Sequence, residues 1–374
     1  MNRSRLSCVQ RLLALLLTMT ILVACGTTPT QSPSTATEET VAPDPGAAPA
    51  TEEDVAPDPG AAPAASIDGE IQTIRLGYIP VIIFAPLFVG IERGYFADEG
   101  LNLDLVPIQS TNDAVVQLAV GDFDVAMIGG NAGLFNAINR GLRFQIIAPM
   151  HSERPPLSTP LVISADRVDE IQSVADLRGK RIAVNGIGAA IEYWVDQALA
   201  QEGLSIDDVE VTAMRFPDMP AALASGTLDA AVITEPLVTI NKDQGVLAVL
   251  AEDFINDFTA TYVLSNETWL ADNPAIARGF MRAYLRACRD LQGDDYMDAE
   301  IAEMIEKYTQ VPAPVIMRSP LSYYKSDGQV PVEDLETLQE FFMRRGLLEY
   351  EELLDVNTFV NTQIATEVVA ELDG

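Results

Sequence analysis

Histidine is nearly absent from this chain of 374 residues: His151 stands alone. That excludes a metal centre built from several imidazoles, and it leaves a Ser-His-Asp triad only one residue to be built through. Cysteine is scarce too, at positions 8, 25 and 288. Basic residues are outnumbered, 23 against 55 acidic ones, for a net charge of -32. Such a field argues against nucleic acid as a partner and gathers no polyanionic ligand from a distance, although salt screens it. The glycine pattern of a dinucleotide site is incomplete. Gly186-Ile187-Gly188 lacks the third glycine, and no acidic residue stands at the required strand end. The apolar run over 12–23 is too short to span a bilayer comfortably. No cofactor or metal is expected.

What remains is ample for folding. Hydrophobic residues make up 48% of the sequence, and the length suits two domains. The first 24 residues read as a targeting segment. Arg3, Arg5 and Arg11 precede the apolar stretch, which ends in Leu22-Val23-Ala24-Cys25. That ending resembles a bacterial lipobox, in which the cysteine is lipidated and becomes the first mature residue. Cys25 is then a membrane anchor. With Cys8 removed, Cys288 is the one remaining thiol and no internal disulfide can form. Residues 25–70 read as an extended tether. Residues 37–50 are repeated at 51–64 with a single change, Thr40 to Asp54. Proline, acid and small residues of this kind cannot bury a core.

The folded body is organised around a repeated unit. Residues 118–130 read Leu-Ala-Val-Gly-Asp-Phe-Asp-Val-Ala-Met-Ile-Gly-Gly, and 223–234 read Leu-Ala-Ser-Gly-Thr-Leu-Asp-Ala-Ala-Val-Ile-Thr. In each, a helix end meets a glycine suited to a left-handed C-terminal position, Gly121 or Gly226. An aspartate then opens a short apolar strand, over 125–128 or 230–233, which runs into a helix start. Used twice, the unit implies two similar α/β lobes. Parallel sheets bind ligands beyond the carboxyl ends of their strands, so the two turns are expected to line one cleft.

Around this unit, strands are expected over 71–78, 102–108, 144–150 and 161–164, with helices over 84–93, 112–120 and 132–139. This β-α-β-α-β-α-β run points to a parallel sheet. The segment 161–164 is read as part of a crossover. The second lobe brings strands at 181–184, 209–215 and 246–250 and a helix over 189–202, on which Trp194 is read as core. A strand at 261–264 returns the chain to the first lobe. Helices over 274–291, 298–308, 332–346 and 356–372 close the structure.

Several stretches are together similar to one bacterial family. They are Gly77-Tyr78-Ile79-Pro80, Ala85-Pro86-Leu87-Phe88-Val89, and Gly94-Tyr95-Phe96-Ala97-Asp98-Glu99-Gly100-Leu101. To these are added Asp176-Leu177-Arg178-Gly179-Lys180-Arg181-Ile182-Ala183-Val184, Asp229-Ala230-Ala231-Val232 and Glu235-Pro236. The chain resembles the periplasmic solute-binding proteins of ABC importers for sulfonates, nitrate or taurine, thiamine pyrimidine precursors and riboflavin. The likeness covers about residues 72 to 290. It implies a type II, two-lobed periplasmic-binding-protein fold with parallel-rich sheets flanked by helices and a ligand cleft between lobes. Lobe 1 is expected from 71–165 with 259–374, and lobe 2 from 166–258. The implied partners are an ABC permease and its ATPase. The implied location is periplasmic or on the outer face of the cell membrane, as a lipid-anchored monomer. By motif position the ligand-binding residues in lobe 1 are Tyr78, Pro80, Phe84, Gly129, Gly130 and Asn131, with His151 near the hinge. In lobe 2 they are Asn185, Gly186, Ile187, Gly188, Ala189, Glu192, Tyr193, Phe216, Asp218 and Glu235.

One departure bears on the ligand. Sulfonate-type members often carry a hydroxyl residue in the loop before the second-lobe helix, where free N–H groups hold an anion. Here that loop is Gly188-Ala189-Ala190, with Glu192 close behind. The backbone donors are expected to remain, but a carboxylate beside them disfavours an anion. The expectation is a pyrimidine thiamine precursor or a riboflavin-like heteroaromatic, with sulfonate, taurine or nitrate as the alternative. A related thiamine-pyrimidine-forming enzyme is the reading from another class, and it depends on His and Cys chemistry that this chain scarcely has. A binding protein feeding a sensor is a further alternative.

Overall fold

The computed structural model describes residues 71–108 and 111–374. The targeting segment, Cys25 and the tether lie outside the described residues. The first half runs β1 (Gln72–Tyr78), α1 (Ala85–Glu92), α2 (Tyr95–Asp98), β2 (Leu101–Pro107), α3 (Thr111–Val120), β3 (Val125–Gly129), α4 (Ala132–Asn139) and β4 (Phe144–Glu153). Then follow β5 (Leu161–Ser164), β6 (Arg181–Val184), α5 (Ile191–Ala200), β7 (Glu210–Ala213), α6 (Met219–Ala224), β8 (Ala230–Val232), α7 (Leu237–Asp243) and β9 (Leu247–Ala251). The chain ends with β10 (Phe258–Asn266), α8 (Glu267–Asp272), α9 (Pro274–Asp290), α10 (Ala299–Thr309), α11 (Ala313–Ile316), α12 (Val332–Arg344) and α13 (Gln363–Asp373).

The strands form two five-stranded sheets with one plan, β2-β1-β3-β10-β4 and β7-β6-β8-β5-β9. In each, three strands pair in parallel and a fourth points the same way, separated from them by one antiparallel strand. That antiparallel strand belongs to a crossing: β5 follows β4, and β10 follows β9. The sheets are therefore mixed. They are parallel-rich as expected, and β4 keeps the direction of the parallel strands but is separated from β3 by the inserted β10. Residues 161–164 are a strand of the second sheet, so that sheet begins before the boundary expected at 165/166.

The repeated unit builds the centre of each sheet. Gly121 and Gly226 have φ of 79° and 71°, which releases the chain from α3 and α6. Asp124 and Asp229 then perform the same task. Asp124 Oδ2 accepts the Arg75 N–H at 2.8 Å, and Asp229 Oδ2 accepts the Arg181 N–H at 2.8 Å. Each carboxylate thus ties the start of its strand to the parallel strand beside it, β1 or β6. β3 and β8 carry almost wholly buried residues between neighbours on both sides.

The two crossings lie side by side. The Leu157 N–H donates to Glu252 O at 2.9 Å, and Arg154 Nη2 meets Asp257 Oδ1 at 2.9 Å. A third connection comes from the end of α12. Arg344 reaches Asp196 at 2.7 Å, while Arg140 on α4 pairs with Glu349 just beyond it. The single helix expected over 356–372 is broken. The Ile146 N–H donates to Phe359 O, and the Asn361 N–H donates to Ile146 O, each at 2.8 Å. This stretch covers the open edge of β4 instead of continuing as helix, and only α13 remains.

Candidate functional site

The carboxyl ends of the parallel strands in both sheets face one cleft with about 640 Å³ of empty space, counted out to its mouth. Lobe 1 supplies mostly apolar surface: Ile79, Val81, Ile83 and Phe84 after β1, and Met127, Ile128 and Gly129 from β3. Lobe 2 supplies Asn185 after β6, Ala189 to Ile191 and Trp194 at the start of α5, and Phe216. Thr159 and Thr234 complete the wall, donor to acceptor at 3.4 Å. Among the described residues lining the cleft there is no lysine or arginine.

The lobes touch through main chain. The Ala132 N–H donates to Gly188 O at 2.8 Å, and the Ala190 N–H donates to Gly130 O at 3.0 Å. Asn131 and Ala189 are opposed as an antiparallel bridge. This two-bond ladder joins the turn that ends the first copy of the repeat to the loop after β6, whereas the turn that ends the second copy takes no part in it. Asn131 holds its side fixed: fully buried, it accepts the Leu134 N–H at 2.8 Å and donates to Gly129 O at 2.9 Å. Gly188 has φ 75°, and a Cβ there would stand 3.2 Å from Ala132 Cβ. A larger residue would hold the lobes apart.

The ladder changes the expectation about free donors. The Gly188 N–H goes to Glu192 Oε2 at 3.3 Å, Ala189 donates to Gly186 O at 3.3 Å, and Ala190 donates across the lobes. These N–H groups are occupied. Glu192 does not line the cleft. It is fully buried behind the loop, with the Arg345 guanidinium 3.8 Å away. Burial pushes its carboxyl above the usual range, against the opposing pull of Gly188 and Arg345.

The other expected residues divide. Phe84, Gly129, His151, Asn185, Ala189 and Phe216 line the cleft. Tyr78 sits behind Phe84, ring edge to ring at 6.1 Å, and Pro80 is exposed. Gly130, Asn131 and Gly188 belong to the ladder. Gly186 lies beside it, and Ile187 faces an outer groove with Val116 and Leu142. Tyr193 turns to Phe258 and Phe341, at 5.0 and 5.6 Å, because its position on α5 looks into the core. Asp218 is exposed and pairs with Arg215 at 2.9 Å. Glu235 points away from the cleft to cap α7, accepting the Thr239 N–H and hydroxyl, both at 3.0 Å. Burial raises its carboxyl despite these bonds.

Two cleft features were missed. Trp194, read as core, is 3% exposed yet lines the cavity. Glu153 lies two residues beyond His151, and that spacing puts both on one face of β4. His151 Nδ1 meets the Thr261 hydroxyl, and its Nε2 lies 3.6 Å from Glu153 Oε1. Glu153 also accepts the Ser158 N–H at 2.9 Å and the Ser158 hydroxyl at 2.8 Å. Burial alone would raise its carboxyl, but the bonds from His151, Thr159 and Ser158 hold it below the usual range. Thr234, which ends the second copy of the repeat, lines the cleft as the turn there was expected to.

Replacing Ala190 with proline deletes one rung of the ladder at a φ of -52° that proline tolerates. Loss of one such bond costs about 0.5–1.5 kcal/mol. A190P is expected to weaken ligand binding about two- to tenfold in titration calorimetry. Unchanged affinity would show that the ladder plays no part in closure.

The sequence profile of the NMT1-like family matches residues 68–306, more than half of the chain and somewhat beyond the span expected from the motifs. The riboflavin-binding protein RibY of Chloroflexus aurantiacus is 28% identical over 223 residues, which are 58% of this chain and 61% of that protein. The chain thus spans about three fifths of that relative's length. The 4-amino-5-hydroxymethyl-2-methylpyrimidine phosphate synthase of Aspergillus parasiticus is 24% identical over 288 residues, 71% of this chain and 80% of that one. Among solved structures, the alkanesulfonate-binding protein SsuA from Xanthomonas axonopodis pv. citri superposes with a TM-score of 0.64 at 20% identity. It covers 78% of this chain and 99% of its own. At that identity the likeness establishes the two-lobed α/β fold.

Proposed function

Because the chain belongs to the NMT1-like family, we propose that it is the extracytoplasmic solute-binding component of an ABC importer. It closes two lobes on a small organic molecule and delivers it to a membrane permease driven by an ATPase. The observation that carries this reading is the cleft between like sheets, spanned by a backbone ladder that exists only when the lobes meet. A relative named for riboflavin and a structural neighbour named for alkanesulfonates support a carrier role.

The cargo is a neutral heteroaromatic, of the size and kind of a pyrimidine thiamine precursor or a flavin. The cleft walls are mostly apolar, they carry no lysine or arginine, and the loop donors before α5 are occupied. A sulfonate or nitrate would be buried there without a lysine or arginine, which is costly. The relative named as a synthase raises an enzymatic reading, but the chemistry on the cleft does not favour it. Cys288 is fully buried in the helical core beside Tyr284, and burial pushes its thiol up to about 12. No helix among the described residues is long and apolar enough to cross a membrane, and Cys25 supplies the lipid anchor.

A thermal-shift panel on the soluble body tests the cargo. An aminopyrimidine thiamine precursor or riboflavin, at a hundred times its dissociation constant, is expected to stabilise by about 2.7 kcal/mol, a rise of several degrees. A rise with taurine, an alkanesulfonate or nitrate alone would replace the heteroaromatic with an anion. Cys25→Ser is expected to move the full chain from the membrane fraction to the soluble fraction. Retention in the membrane would refute the lipid anchor.

A further inference from the structure

Two buried polar atoms on the cleft have no hydrogen-bond partner among the described residues: Asn185 Oδ1 and Trp194 Nε1. Buried polar groups are nearly always paired, so an unpaired acceptor and an unpaired donor in one cavity are a specific feature. The Trp194 donor is not free to turn away. The Trp194 indole is held edge-on by Tyr193 at 6.2 Å and Phe258 at 5.8 Å. Its N–H is a donor only. Asn185 stands in the loop directly after β6, at the carboxyl end of the strand.

Both atoms belong to lobe 2. From lobe 1 and the first crossing, the His151 and Glu153 side chains on the cleft are already engaged, His151 with Thr261 and Glu153 with Ser158. Opposite the open pair, lobe 1 presents Ile79, Val81, Phe84 and Met127. Resting on the binding role proposed above, we infer that Asn185 and Trp194 are the two specificity-determining residues of the cleft. They read a neutral heterocycle that carries an N–H donor and a lone-pair acceptor. That polar edge sits in lobe 2, and the ring lies under the apolar cover of lobe 1. Recognition is then split between the lobes, and the ladder closes over a ligand already oriented.

This assigns a role to a tryptophan whose sequence position marks it only as core. It also separates ligand classes by chemistry. An anion such as nitrate or methanesulfonate offers acceptors to Trp194 but meets no lysine or arginine among the described residues of the cleft and supplies no donor to Asn185 Oδ1. An aminopyrimidine or a flavin ring supplies both a donor and an acceptor.

The chain has two tryptophans, Trp194 and Trp269, so Trp269→Phe leaves a single indole N–H to follow by nitrogen-15 NMR. The purified protein is titrated with 4-amino-5-hydroxymethyl-2-methylpyrimidine, riboflavin, methanesulfonate and nitrate. One of the two heterocycles is expected to bind and to move the Trp194 indole resonance. Trp194→Phe keeps the ring and removes the donor, and it should weaken that probe about tenfold while leaving the ligand-free melting temperature close to the parent's. Asn185→Ala should weaken it by a similar factor and serves alone if the tryptophan variant fails to fold. A heterocycle that binds with the resonance unmoved and both variants unaffected overturns the inference. Binding of methanesulfonate or nitrate alone also overturns it but leaves the carrier role standing. Silence from all four probes removes the donor–acceptor edge and restricts the carrier role to other solutes.

Discussion

Two backbone hydrogen bonds between lobes are the constraint on which the rest of this structure depends. The rungs Ala132 to Gly188 and Ala190 to Gly130 join the first turns of α4 and α5. A typical hydrogen bond contributes about 0.5–1.5 kcal/mol net, so the ladder as a whole supplies roughly 1–3 kcal/mol. That is enough to define a closed state and too little to hold it against a comparable opposing term. A ligand that touches both walls of the cleft adds differential contact of at least that size, and differential affinity is what shifts such an equilibrium. Asn131 and Glu192, both fully buried, brace the ladder from either side. The pair Arg344–Asp196 links α12 to lobe 2, but Arg344 is 60% exposed, so it contributes little.

The same geometry explains the electrostatics. Helix starts commonly offer N–H groups to anions, yet closure and Glu192 occupy those before α5. Among the described residues, the strongly acidic chain presents no lysine or arginine on the cleft, and its buried carboxylates are used locally. Glu235 caps a helix, Glu153 ties β4 to the crossing, and Glu192 supports the loop. An uncharged cargo is what such a cavity accepts at least cost.

Much of the architecture was legible because it is local. The glycine, aspartate and apolar run of the repeated unit each respond to a short-range demand, and the two copies proved to be the two sheet centres. Several helices and strands, including α4, β5 and β6, fell where their patterns placed them. What was not legible depends on pairing at long range. Nothing in residues 161–164 says which sheet they join, and nothing in residues 359–361 announces an edge of β4 to be covered. The site divided in the same way. Loop positions after strands, such as Asn185 and Phe216, could be found from chain order. Side-chain direction could not: Tyr193 and Trp194 are neighbours on α5, and only the packing against Phe258 and Phe341 turns one into the core and leaves the other on the cleft. The ladder itself has no side-chain signature beyond small residues at 130, 132, 188 and 190.

The most direct test of this account is amide hydrogen exchange at Ala132 and Ala190, with and without a bound ligand. Closure through the ladder predicts that both amides exchange quickly in the free protein and become strongly protected together on binding, while amides in the centres of β3 and β8 change little. Equal protection in the two states, or protection of only one amide, would contradict a ladder that forms as the lobes close.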